Sequence, residues 1–207
     1  MSLHTERMRA ERKRYVRNIL ARWDATDNVM RDAGACWYAA ARKDCAALAH
    51  RYGKTTRAIV GAAAAISPGM RWDLVLRHVE LLLLKTRGHK VPTYSKMFVA
   101  RARRCLKGEA PLTVLGGPKV TAFYMLILDQ RAGVVVVDGH AFNIARGARE
   151  SIRGHMSERL TLARYVNVER AYKVAARIAG VPAHAMQAST WLAHRAIDNP
   201  NQTRLDF

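Results

Sequence analysis

Negative charge is scarce: 16 Asp and Glu stand against 35 Lys and Arg, a net charge of +19 over 207 residues. That imbalance favours a polyanionic partner, nucleic acid first and an anionic membrane second, over a merely arginine-rich composition. Cysteine is scarce too. Cys36, Cys45 and Cys105 fit no zinc or iron–sulfur spacing, and an odd count argues against a disulfide framework. Long apolar runs are missing. Ile59 to Ile66 and Leu81 to Leu84 are the longest, far short of a bilayer span. The opening stretch MSLHTERMRAERKR has no apolar segment of the signal-peptide kind, so the expected setting is a reducing cytoplasm.

What is present is half apolar, enough to bury a core. Helical periodicity dominates. Tyr15, Val16, Ile19, Leu20 and Trp23 share one face, and the arginines between them lie elsewhere. Further helices are predicted over Cys36–Tyr52, Lys54–Ile66, Trp72–Thr86, Tyr94–Lys107, Pro111–Leu115, Lys119–Asp129, Leu160–Ala179 and Pro182–Ile197. The Lys119 helix is apolar on nearly every side, which places it centrally. Loops are expected at 87–92 and a frayed tail from Asn199. Val134 to Val137 has strand composition but no second strand to pair with, so it reads as an extended buried link. Asp138 is a favoured N-cap and opens one more helix. The fold class is all-α, with about nine or ten short helices.

Two stretches carry the functional signal. The first is LGGPKVTAFY, Leu115 to Tyr124. Gly116 and Gly117 let backbone N–H groups approach a phosphate, and the next helix start adds partial positive charge. Lys119 sits at that start. It is either a phosphate contact or, beside an apolar wall, an amine that loses its proton readily and acts as a nucleophile. The second is VVVVDGHAFNIARG, with Asp138 coming 19 residues after Lys119. Asp138 is either a helix cap or a carboxylate that takes a proton or stabilises positive charge on a sugar.

Together the two stretches resemble the signature of the helix–hairpin–helix DNA glycosylase superfamily, the endonuclease III and oxoguanine glycosylase group. That family carries a hairpin of L-P-G-V-G-x-K-x-A type and, further on, V-D-x-H-V. Val137, Asp138 and His140 fall on the second motif. AIVGAAAAISPGMRWD (Ala58 to Asp73) is similar to the family's helix before its DNA-wedging loop, and TYSKMFVARARRCL to its helix leading to the hairpin. The hairpin departs from the pattern as LGGPK, and the family's C-terminal cluster cysteines are absent. The closest likeness is to small glycosylase-like proteins of bacteriophages.

The resemblance implies one two-lobed helical domain. Its core lobe covers about 54–147 with the hairpin at 111–128, and its second lobe covers 10–53 and 148–198. It implies a monomer that binds DNA in a bacterial host cell and has no iron–sulfur cluster; a monovalent ion at the hairpin is the only cofactor it leaves room for. The implied reaction is cleavage of the N-glycosidic bond of a flipped nucleotide received between the lobes. Asp138 would be catalytic, and Lys119 would add lyase activity if it attacks C1′. Leu115, Gly116, Gly117, Pro118 and Thr121 would hold the DNA backbone. Arg101, Arg104 and Lys107 would line the DNA side, unless they only complement their helix dipole. Ser67 to Arg71 is either a wedge or a helix-breaking turn. Gln187, Trp191 and Arg195 share a helix face, so Trp191 can stack on an extruded base while Gln187 reads its edge and His140 contacts it, or Trp191 is simply buried. Two alternatives remain open: a DNA-binding protein without chemistry, and a phage base-modification enzyme on the same fold.

Overall fold

The computed structural model describes residues 3–84, 96–148 and 160–198. The expected loop at 87–92, the helix start at Tyr94 and the tail from Asn199 lie outside them. The described residues form α1 (Leu3–Asp24), α2 (Asn28–Arg51), α3 (Thr56–Ile66), α4 (Trp72–Leu83), α5 (Lys96–Leu106), α6 (Pro111–Val114), α7 (Pro118–Leu128), α8 (Gly139–Arg146), α9 (Leu162–Ala179) and α10 (Ala183–Asp198). No strand occurs among them, so the fold is all-α, and none of these helices is long and apolar enough to cross a membrane. The chain divides into two compact units, one of Met1–Trp37 with Gly133–Leu205, the other Tyr38–Ala132. The lobe of 54–147 read from the sequence draws on both.

The unit of Tyr38–Ala132 is built around α3. Thr55 caps it, its side chain accepting from the Ala58 N–H at 3.2 Å. Every residue from Ala58 to Ile66 is buried. Helices α4, α5, α6 and α7 all pack on it. Such crowding needs small residues. A Cβ on Gly61 would lie 2.7 Å from Pro111 Cγ and 3.1 Å from Cys105 Sγ, so Gly61 lets α5 and α6 approach the α3 backbone. The central helix is therefore α3. Helix α7, apolar as it is, buries only Ala122, Tyr124, Leu126 and Ile127 fully.

The other unit surrounds a larger-grained core of Tyr15, Ile19, Phe142, Tyr165, Tyr172 and Met186, with Val135 and Val137 threaded through it. Helix α1 packs against α8, α9 and α10. Val135 to Val137 is buried and unpaired with any strand, so its backbone needs other partners. Tyr165 on α9 supplies them. Its hydroxyl donates to the Val135 carbonyl at 3.0 Å and accepts from the Val137 N–H at 3.4 Å. One phenol thus fixes the extended link that delivers Asp138.

Candidate functional site

In the α3 unit the two-glycine turn joins α6 to α7. Pro111 opens α6, and the Leu115 N–H closes it onto the Pro111 carbonyl at 2.8 Å. The Leu115 side chain is buried, so what this residue offers outward is backbone. Gly116 lies under the guanidinium of Arg101; a Cβ there would meet Arg101 Nη2 at 2.6 Å and Cζ at 2.9 Å. Gly117 has φ 82° and ψ 148°, close to a region of backbone space that only glycine occupies freely. Its Cβ direction is open, so conformation, not crowding, demands glycine.

Pro118 then starts α7 with its fixed φ, and the Thr121 N–H donates to the Gly117 carbonyl at 3.2 Å. No side chain caps this helix. The first-turn N–H groups of Lys119 and Val120 have no acceptor within a helix and carry the positive end of its dipole. Lys119 and Thr121 are half-buried on that first turn. The structure thus gathers Arg101, the glycine turn and Lys119 at one end of α7. That end suits an anion such as a phosphodiester.

The other predicted contacts of this unit are spread more widely. Arg104 is engaged with Glu109 at 2.6 Å and 2.8 Å, which holds the Glu109 carboxyl below its usual range. Lys107 is exposed. Ser67 ends α3 and donates to the Ala64 carbonyl at 3.1 Å, while exposed Arg71 pairs with Asp73 at 3.1 Å. An open depression lined by Arg57, Pro111, Leu112, Tyr124, Met125 and Asp129 lies along α7.

Asp138 belongs to the other unit. It caps α8, accepting the Ala141 N–H at 2.8 Å, and is itself half-buried. The cap locks the carboxylate's direction while leaving part of it open to solvent. Two tyrosines lie within its field. Burial pushes the Tyr165 phenol up to about 12, with Asp138 adding to the rise against the opposing backbone bond from Val137. Burial likewise raises Tyr172, and Asp138 adds to it, against a hydrogen bond with Thr190 Oγ1 at 3.4 Å. Both phenols therefore stay neutral beside an acid at ordinary pH.

In the first turn of α8, His140 meets α10. Its ring stands edge-on to Trp191 at 6.2 Å and to His194 at 5.6 Å between centroids. The Arg195 guanidinium covers Trp191 at 4.7 Å. Gln187 is buried and Trp191 is half-buried. The structure thus brings His140 on α8 to Trp191 and Arg195 on α10, the Trp191 ring edged by the first and faced by the last, while Gln187 is buried one turn earlier on α10. Sequence reasoning missed His194. Its signal was its place three residues after Trp191, on the same side of α10. It also missed Tyr165 and Tyr172, for which nothing local pointed to Asp138.

A family model matches residues 1–198. No curated protein and no solved structure matches the chain. With nearly its whole length covered, the chain belongs to the family described as a family of unknown function, DUF7178.

Proposed function

We propose that this protein binds DNA and cleaves an N-glycosidic bond in it. The observation that carries the reading is the end of α7. A glycine turn in a conformation that favours glycine leaves the first-turn N–H groups uncapped, with the Arg101 guanidinium laid over the turn. Such a feature grips phosphate without reading sequence. The net charge of +19 supplies the long-range attraction.

The chemistry is assigned to Asp138. A carboxylate fixed as a cap and partly open can stabilise the cation that develops on the sugar as the base leaves, or orient a water that attacks C1′. The base leaves with the electrons of its glycosidic bond, and water supplies the oxygen of the resulting abasic sugar. An extruded base that displaces the Arg195 guanidinium can stack on the half-buried Trp191 ring, with His140 at its edge. A second version makes Lys119 the nucleophile. Its neutral amine attacks C1′ as the base leaves with the electrons of its glycosidic bond; the C1′–O4′ bond then breaks, the amine proton passing to O4′, and the resulting Schiff base leads to strand cleavage by loss of the 3′ phosphate.

Incubation with oligonucleotides bearing varied bases, followed by alkali, tests the reading. Alkali-labile breaks that vanish in Asp138→Asn are expected. Borohydride trapping that is lost in Lys119→Ala would select the second version. DNA binding with no product from any base would leave a binding protein only.

A further inference from the structure

The outer side of α1 plays no part in the proposal above. From Arg7 to Arg17 its exposed residues are Arg7, Arg9, Ala10, Lys13, Arg14 and Arg17, and all but Ala10 are cationic. One acidic residue, exposed Glu6, borders this face at its N-terminal edge, one turn before Arg9. The other two lie off it: Asp24 is at the far end of α1, and half-buried Glu11 accepts from Asn167 Nδ2 at 3.1 Å. Arg9, Lys13 and Arg17 recur every four residues and so form one row along the helix. Arg14 is steadied by the Tyr15 ring, 5.8 Å from its centroid.

We propose that this face of α1 is a second contact surface for duplex DNA, one that holds the phosphodiester backbone independently of the glycine turn. Ten residue steps of 1.5 Å span about 15 Å, a length over which a duplex carries about nine phosphates, so five cations meet an excess of anions. A membrane surface fits less well. An interfacial helix needs an apolar face to insert, and that face of α1 is already spent: Tyr15 and Ile19 are fully buried, with Val16 and Leu20 packed on the same core. That the polyanion is DNA rests on the proposed function; that the face binds a polyanion rests on charge and exposure alone.

The test is binding of the full chain to a random-sequence DNA duplex by fluorescence anisotropy across salt concentrations. The triple variant Arg9→Gln, Lys13→Gln, Arg17→Gln is compared with the charge-preserving Arg9→Lys, Arg17→Lys. The triple variant is expected to lower the slope of log K against log salt by about 2.7, so its loss of affinity between about 50 and 200 mM salt is about fortyfold smaller. The lysine variant keeps the slope. Should the triple variant lose helicity, Lys13→Gln alone carries the test, with an expected drop of about 0.9.

An unchanged slope in the neutral variants overturns the proposal. So does α1-dependent binding to duplex RNA or phosphatidylserine vesicles with none to duplex DNA. Base release with an unchanged slope removes the α1 surface and leaves the enzyme. An α1-dependent slope without base release removes the enzyme and leaves the surface.

Discussion

The α3 unit fills its centre with alanine, whereas the unit of α8 and α9 fills its centre with tyrosine and phenylalanine. In the first, five helices approach closely because Ala62 to Ala65 and Gly61 take up little room. In the second, large rings occupy wider spaces and carry hydroxyls into the core. Tyr165 is answered by the valine link and Tyr172 by Thr190. The alanine core is therefore sensitive to added volume. The aromatic core is sensitive to lost volume and to lost polar partners. The elements proposed to act on DNA follow the same division: the glycine turn hangs on the tightly packed unit, and the Asp138 carboxylate on the one with internal hydrogen bonds.

The contrast breaks first at Phe142, fully buried beside the Asp138 cap. Phe142→Ala should cost about 3–5 kcal/mol in urea unfolding, through lost burial and a cavity. A loss under 1 kcal/mol would mean that this core collapses around the gap. Tyr165→Phe should cost about 1–3 kcal/mol, because a buried carbonyl and N–H are left without a partner. At Gly61 the opposite kind of change is tested. Alanine in a helix interior ordinarily gains about 1 kcal/mol over glycine, yet the clash with Pro111 and Cys105 should cost about 1–3 kcal/mol. Net destabilisation is expected, read by the fluorescence of Trp72, the one tryptophan of that unit.

Alkali sharpens the comparison further. In the α3 unit, burial raises the Cys105 thiol from 9.0 to about 11 and Cys45 to about 12. In the other unit Tyr165 rises from 10.0 to about 12. Each group is neutral in the fold and gives up its proton more easily when unfolded. The stability it lends is therefore complete below the unfolded value and drains as pH climbs to the folded one. Trp72 should report loosening from about pH 9, below the range in which the Tyr165 phenol ionises.

Much of this was legible in the sequence, and the misses share a cause. Periodicity gave the helices, and the unpaired valines gave a link without a strand. Helix α2 was expected from Cys36 but begins at Asn28, with the Asp27 carboxylate accepting the Met30 N–H at 2.7 Å. Gly34 disguised it. A glycine inside a helix weakens the pattern, and its reason is tertiary: a Cβ there would collide with the backbone of Ser189 on α10. Depth was equally invisible. Helices α3 and α7 are both apolar, and only packing shows which is enclosed. At the site, Asp138 as a cap was readable from the residues after it, but its neighbours Tyr165 and Tyr172 come from another helix. The cations of α1 were readable as charge, though not as one exposed face.

The smallest expected change in stability carries the most weight. Asparagine caps a helix about as well as aspartate, so Asp138→Asn should keep the fold within a few tenths of a kcal/mol, while Asp138→Ala costs about 1 kcal/mol. The direct measurement is alkali-revealed strand breakage by Asp138→Asn, alongside its thermal midpoint and DNA affinity. The account predicts an unchanged midpoint, unchanged binding and no breaks on any base that the unaltered protein attacks. Breaks at the unaltered rate would contradict it, and would leave Asp138 as a helix cap and nothing more.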